Sequence, residues 1–205
     1  MAFYRMYPTS INERYISEIV ELLRRGGVII YPTDTHYAIG CDALNNRAVE
    51  RVCRLRDINP AKQRLSMVCA DISQASEFAR IDNKAFRILR DNTPGPFTFI
   101  LPASTRLAKQ FKGRKEVGVR IPDNEIPRHI AAGLGTPILS ATATWPGAEP
   151  PQLELPEELM MHYDTTVDAF IDGGPTHNPL IPSAIVSLAD PDQPEILREG
   201  PLQLR

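Results

Sequence analysis

The segment that follows the first predicted strand carries the side chains best suited to chemistry. It reads GGVIIYPTDTHYAIGCDA over residues 26–43, and its apolar run at 28–31 predicts a short buried strand. Thr33, Asp34 and Thr35 follow at the carboxyl end of that strand, where open α/β sheets bind ligands. Two hydroxyls and a carboxylate suit the polar groups of an amino acid, but they also close turns through side-chain to backbone hydrogen bonds. The residues alone leave these two interpretations even.

The densest cluster of positive charge lies between a predicted helix and the next predicted strand. Arg54 and Arg56 end a helix over 45–56, and Lys62 and Arg64 precede a strand over 65–69. Arginine offers a planar fork that matches a phosphate group, and its charge cannot be lost. Cations also complement the dipole at a helix C-terminus. The cluster is therefore either a phosphate-binding site or an ordinary helix end.

Two later strands carry polar groups among apolar residues. Arg120 lies in VGVRIP, where a buried charge is costly unless it is paired with a carboxylate or grips an anion. Ser140, Thr142 and Thr144 alternate in ILSATATWPG, so an extended chain points their three hydroxyls the same way. Such a row suits phosphate or sugar oxygens, although threonine is also common in strands for packing reasons.

Composition and absent motifs exclude several classes of protein. The chain has 205 residues, of which 42% are hydrophobic and 23% charged, as in a soluble globular domain. It lacks the GxxxxGK[ST], GxGxxG, HExxH and GxSxG patterns, and its three cysteines have no CxxC spacing. His36 and Cys41 are weak evidence for a metal, so we expect no metal site. Without a long apolar run or a secretory signal, we expect a cytoplasmic protein with no membrane contact.

The charge is divided unevenly along the chain. Residues 1–120 carry 20 Lys and Arg against 12 Asp and Glu, a balance of +8, whereas residues 121–205 carry 3 against 13, a balance of −10. The basic part suits a polyanion or a nucleotide. The alternative, which charge alone slightly favours, is that the two parts attract each other within one fold.

Strands alternate with helices along the chain, which predicts an α/β fold. Ser10 is expected to cap the first helix. Thirteen of the 19 prolines follow residue 120, and the Pro-rich loops at 146–151 and 173–182 are long enough to fold over a site. The predicted helices are 10–25, 45–56, 82–91 and 126–132; the predicted strands are 28–31, 65–69, 97–101, 117–121, 136–140, 169–171, 184–186 and 195–197.

Taken in order, these segments resemble the YrdC-like family, the threonylcarbamoyl-AMP synthases of tRNA modification. YPTDTHYAIGCDA is similar to the family's signature strand and loop, usually with glycine where Ala38 stands, and TPGPFTFIL, VGVRIPDN, PSAIVSL and ILREG are similar to later blocks. The resemblance covers roughly 11–200, and VCRLRDINP, KQRLSMVCADIS and DNKAFRILRDNTPG resemble the YciO branch most. It implies a single domain over 1–205, with a twisted mixed or parallel sheet, flanking helices and a concave basic face.

The resemblance also implies a reaction and its partners. ATP, L-threonine and bicarbonate would give threonylcarbamoyl-AMP and pyrophosphate by nucleotidyl transfer, on the way to tRNA threonylcarbamoyladenosine. Nucleotide chemistry of this kind uses Mg²⁺. A diverged relative that retains only nucleotide binding is also consistent with the motifs. The alternatives are a non-catalytic module that binds tRNA or double-stranded RNA, and an enzyme acting on another acyl group or amino acid.

Residue roles follow from the resemblance position by position. The catalytic residues would be Arg54, Arg56, Thr142 and Thr144. The ATP-binding residues would be Arg54, Arg56, Lys62, Arg64, Thr98, Thr144 and Arg198, with the pair Lys62 and Arg64 competing with Arg54 and Arg56 for the phosphates. The threonine-binding residues would be Thr33, Thr35, Arg120, Thr142 and Ser183.

The sequence departs from the family at several polar positions. If Arg54 stands where the family has lysine, the charge is kept but its shape is not. Active members usually have Ser-x-Asn where Thr142 and Thr144 stand, and threonine cannot supply the two-headed hydrogen bonding of an amide. Cys69 stands where active members often have histidine. These departures put catalysis in doubt and leave the expected fold unchanged.

Overall fold

The computed structural model describes residues 1–59, 66–104, 114–149, 153, 155–176 and 181–205. The helices in these ranges are α1 (Glu13–Arg24), α2 (Asn46–Leu55), α3 (Ile72–Phe78), α4 (Asn83–Asn92), α5 (Glu125–Leu134) and α6 (Pro156–Tyr163). The strands are β1 (Ala2–Arg5), β2 (Ile29–Tyr31), β3 (Ala38–Asp42), β4 (Ser66–Val68), β5 (Phe97–Pro102), β6 (Glu116–Arg120), β7 (Ile138–Thr142), β8 (Ala169–Asp172), β9 (Ala184–Ser187) and β10 (Glu195–Arg198).

The strands form one mixed sheet in the order β1-β8-β2-β3-β7-β4-β6-β5-β9-β10. The central part is antiparallel, since β3 pairs antiparallel with both β2 and β7, and β7 pairs antiparallel with β4. Parallel pairs are β1 with β8, β8 with β2, β4 with β6, and β5 with β9. The predicted single-domain α/β fold with a mixed sheet is confirmed.

Helices cover both faces of the sheet because successive strand residues point to opposite sides. Ile30 and Ile39 lie in a core with residues of α2, α3, α4 and α6. Ile29 and Tyr31, one residue away, lie in a second core with residues of α1 and α5. No helix among the described residues is long and apolar enough to cross a membrane.

Several element boundaries differ from the sequence-based predictions. The first helix is capped by Asn12, whose side chain accepts from Arg14 N and Tyr15 N, rather than by Ser10. Strands β1 and β3 and helices α3 and α6 were not predicted. Strand β1 is short and at the edge, and it is defined by parallel pairing with β8, a contact that local pattern does not reveal. Helix α6 begins at Pro156, a residue that suits the first helical turn.

Within the described residues, ion pairs join the basic and acidic parts of the chain. Arg5 pairs with Asp172, Arg51 with Asp168, and Lys84 with Asp192. These contacts support the interpretation that the two parts attract each other within one fold.

One buried ion pair connects the loop after β2 to the end of β6. Arg120 Nη2 lies 2.6 Å from Asp34 Oδ1, and the two side chains are 13% and 9% exposed. The other Asp34 oxygen accepts from Asp123 N at 3.0 Å. Arg120 Nη2 also donates to the hydroxyls of Thr35 and Thr33, at 2.8 and 3.3 Å.

We expect Gly40→Ala to destabilise the protein by about 1–3 kcal/mol, the range for overpacking a core. A Cβ at Gly40 would lie 2.6 Å from Leu139 O and 2.9 Å from Tyr31 Cε1, so β3 could not keep its distance from β7. Urea unfolding measures the change. In the control Gly133→Ala, the Cβ would meet only side-chain atoms at 3.1 Å or more, and a stability loss equal to that of Gly40→Ala would contradict the explanation.

We expect Asp34→Asn to cost about 3 kcal/mol of unfolding free energy, because removing one partner leaves the other charge buried and uncompensated. The measurement is again urea unfolding. Glu18→Gln is the control, since it breaks the exposed Arg14–Glu18 pair and should cost less than about 1 kcal/mol. A cost for Asp34→Asn as small as that of the control would show that the pair does not hold the loop in place.

Candidate functional site

A cavity of about 250 Å³ opens where the loop after β2, the end of β7 and the strands β5, β6, β9 and β10 meet. The strand register contributes to this meeting, since Thr98 of β5 pairs with Ile185 of β9, and Ile185 pairs with Arg198 of β10. Seven of the residues to which the family resemblance assigned a role line it: Thr35, Arg56, Thr98, Arg120, Thr142, Ser183 and Arg198.

One wall of the cavity is built around the Arg120–Asp34 pair. Thr35 presents its hydroxyl to the guanidinium, and Thr33 lies below it. The Thr33 hydroxyl donates to the His36 carbonyl at 2.6 Å and accepts from Thr35 N at 3.1 Å, which fixes the turn. Arg120 Nε is buried without a hydrogen-bond partner among the described residues. This wall therefore offers a hydroxyl and a guanidinium whose charge is already balanced by Asp34.

On the opposite wall, a second arginine is hydrogen-bonded to a main-chain carbonyl instead of a carboxylate. Arg198 donates to the Ser183 carbonyl from Nε at 3.0 Å and from Nη2 at 2.7 Å. The Ser183 and Thr98 hydroxyls lie 3.2 Å apart. Burial lowers the pKa of Arg198, and the positive charge of Arg120 lowers it further. The charge of Arg198 is therefore held in place without being neutralised by a described carboxylate.

A third arginine reaches the cavity from the end of α2. Arg56 is the C-cap residue of this helix, and its Nη1 donates to the Thr144 carbonyl. Among the described residues, no carboxylate forms an ion pair with Arg56 or Arg198. Of these three guanidiniums, two therefore have no carboxylate partner among the described residues, which favours an anionic ligand.

His36 also lines the cavity, a placement that the sequence did not predict. Burial lowers the pKa of its imidazole, and the charges of Arg120 and Arg198 lower it further, so the ring is neutral at neutral pH. Its Nδ1 is buried and has no partner among the described residues. Within the described ranges, no group of three His, Cys, Asp or Glu side chains is placed to hold a metal ion.

The remaining predicted residues lie elsewhere. Arg54 is exposed on α2, and Thr33 is buried under the cavity wall. Thr144 contributes its carbonyl to Arg56 but is not among the described residues that line the cavity. Lys62 and Arg64 lie outside the described residues. The structure therefore places one arginine of the first basic pair, Arg56, at the cavity.

Two serines of the cavity are brought together by strand pairing. Ser66 of β4 is the register partner of Ser140 of β7, and both line the cavity. The Tyr31 hydroxyl donates to Ser140 Oγ at 2.7 Å. The alternation of polar residues in β7 pointed to Ser140, but the place of Ser66 depends on long-range register that the sequence does not reveal.

Comparison with known sequences agrees with this architecture. A family model for Sua5, YciO and YrdC proteins, described as "Telomere recombination", matches residues 21–200. The chain is 37% identical to the uncharacterized protein YciO of Escherichia coli strain K12 over 200 residues, which are 97% of this chain and 95% of YciO. It is 30% identical to the threonylcarbamoyl-AMP synthase of Coxiella burnetii strain RSA 493 over 168 residues, which are 80% of this chain and 89% of the synthase.

Solved structures show the same fold. The crystal structure of E. coli YciO matches with a TM-score of 0.88 and 35% identity, covering 100% of this chain and 98% of YciO. P. abyssi Sua5 complexed with L-threonine matches with a TM-score of 0.85 and 26% identity, covering 98% of this chain and 57% of Sua5. The chain therefore belongs to the Sua5/YciO/YrdC family, which includes threonylcarbamoyl-AMP synthases.

Proposed function

We propose that the cavity binds ATP and L-threonine, and that the chain forms threonylcarbamoyl-AMP and pyrophosphate from ATP, L-threonine and bicarbonate. The observation that carries this proposal is that Arg56 and Arg198, which have no carboxylate partner in the described part of the chain, line the same cavity as several hydroxyls and the Arg120–Asp34 pair. A polyanion and a zwitterion fit these two environments. One relative, from Coxiella burnetii, is named a threonylcarbamoyl-AMP synthase, and Sua5 has been solved with L-threonine, which supports this product and this amino acid.

The proposed reaction needs charge neutralisation more than acid–base chemistry. The threonine amine first attacks the carbon of bicarbonate, and water leaves, which gives a carbamate. An oxygen of this carbamate then attacks the α-phosphorus of ATP. The bond from that phosphorus to the bridging oxygen breaks, and pyrophosphate leaves with the electron pair. Positioning and fixed positive charge supply most of the catalysis in such transfers. Arg56 and Arg198 are the residues of this chain that we assign to the phosphates.

The amino acid is assigned to Arg120 and to hydroxyls on both walls of the cavity. A threonine carboxylate suits the guanidinium of Arg120, and its hydroxyl and amine suit the hydroxyls of Thr35, Thr142 and Ser183. Magnesium is assigned to the MgATP complex, because Mg²⁺ is usually bound through substrate phosphates with few protein carboxylates.

The test of this function is pyrophosphate release from MgATP, with and without L-threonine and bicarbonate. We expect release that depends on both co-substrates. Release without either co-substrate would mean that water takes the adenylyl group, giving AMP and pyrophosphate, and would contradict the proposed reaction. Absence of release while ATP binds by calorimetry would indicate a nucleotide site with a different reaction. Absence of both would overturn the proposal and favour the RNA-binding module, whose RNA affinity should fall steeply with salt.

We expect Arg56→Ala to abolish measurable ATP binding, or to weaken it by at least about tenfold, because a charged donor to a phosphate contributes more than a neutral one. Isothermal calorimetry with MgATP measures the change. Arg47→Ala is the control, since Arg47 is an exposed residue of the same helix. An unchanged ATP affinity in Arg56→Ala would remove Arg56 from the nucleotide site and favour Lys62 and Arg64.

A further inference from the structure

Arg56 is held by a hydrogen-bond chain that begins in α6. The Thr144 carbonyl accepts from Arg56 Nη1 and also from the Tyr163 hydroxyl, at 2.8 Å in the second case. A carbonyl oxygen has two lone pairs, so it can serve both donors at once. Tyr163 is the last residue of α6 and is only 2% exposed. A buried hydroxyl is thus connected through one carbonyl oxygen to a guanidinium on the cavity wall.

Aromatic packing fixes the peptide that carries this carbonyl. Trp145, the next residue, stacks on His162 with the ring centroids 4.1 Å apart and an interplanar angle of 12°. Its ring also meets Tyr163 edge-on, at 6.2 Å and 78°. The chain from residue 144 to 145 is therefore attached to α6 by both a hydrogen bond and ring contacts.

The Tyr163 hydroxyl remains a donor at neutral pH. Burial raises its pKa, and the nearby Arg56 charge opposes that rise without cancelling it. The hydroxyl therefore keeps its proton and can donate to Thr144.

We propose that Tyr163 is a positioning residue that orients the Arg56 guanidinium toward the cavity before the nucleotide arrives. The inference rests on the proposed function, in which Arg56 binds the phosphates. A free arginine side chain has many rotamers, and freezing them during binding lowers affinity. Tyr163 and the Thr144 carbonyl restrict Arg56 beforehand. Arg56 Nη1 is thus engaged before binding, while Nε is buried without a hydrogen-bond partner among the described residues.

The test begins with Tyr163→Phe, which removes the hydroxyl and keeps the ring. We expect the MgATP affinity to fall about three- to tenfold, the loss typical of one neutral hydrogen bond, while the L-threonine affinity stays unchanged. Tyr4→Phe is the matched control, because Tyr4 interacts with Glu18 and packs against the second core, whereas Tyr163 belongs to the first. An unchanged MgATP affinity, or an equal loss for both ligands, would overturn the proposal.

A double variant separates positioning of Arg56 from a general structural effect. If Tyr163 acts through Arg56, Tyr163→Phe should cause no further loss of MgATP affinity in the Arg56→Ala background. An equal loss in both backgrounds would show that Tyr163 acts on the nucleotide site independently of Arg56.

Urea unfolding of the same four proteins tests the contact without nucleotide. We expect the effects of the two substitutions on the unfolding equilibrium constant to deviate from additivity by at least about threefold, as contacting residues do. If the wild type neither binds ATP nor releases pyrophosphate, the proposed function fails, and this coupling alone decides whether Tyr163 orders Arg56. Additive effects would overturn the inference whatever the ATP results are.

Discussion

The buried pair of Arg120 and Asp34 is the interaction on which the site depends. A guanidinium that is only 13% exposed must be balanced, and Asp34 reaches it from the loop after β2, although three strands separate β2 from β6 in the sheet. The loop can lie across those strands only if its own polar groups are satisfied, which Thr33 achieves by bonding to Thr35 N and the His36 carbonyl. Because the buried charge of Arg120 needs Asp34 as its partner, the loop that carries Asp34 also brings Thr35 to the cavity.

The other two arginines are held in a way that keeps their charge available. Arg198 bonds to the Ser183 carbonyl and Arg56 to the Thr144 carbonyl, and neither has a carboxylate partner among the described residues. A carbonyl orients a guanidinium without cancelling its charge, whereas a carboxylate does both. The cavity therefore has one neutralised arginine, which suits a zwitterion, and two oriented cations, which suit phosphates. This difference among the three arginines arises because the fold gives Arg120 a carboxylate acceptor and gives Arg56 and Arg198 carbonyl acceptors.

Much of the fold follows from sequence pattern, and less of the site does. Apolar periodicity predicted α2 and α4, and the predicted starts, Asn45 and Asp82, are the N-cap residues in the structure. Strand β3 was missed because its identity depends on pairing with β2 and β7. The resemblance to the YrdC-like family indicated the residues around the cavity, including Thr98 and Ser183. It did not indicate His36, Ser66 or Tyr163, because their positions result from loop closure, register and the docking of α6.

Thr144 replaces an asparagine of active family members, but its contact in the structure does not use the side chain. A threonine cannot replace the amide of asparagine in hydrogen bonding, which suggests a lost function at this position. In the structure, the residue contacts Arg56 through its main-chain carbonyl, an atom that every amino acid possesses. The orientation of Arg56 then depends on where the 144–145 peptide lies, and Trp145 and α6 determine that. The contact between Arg56 and residue 144 thus depends on the attachment of the 144–145 peptide to α6 and not on the side chain at position 144.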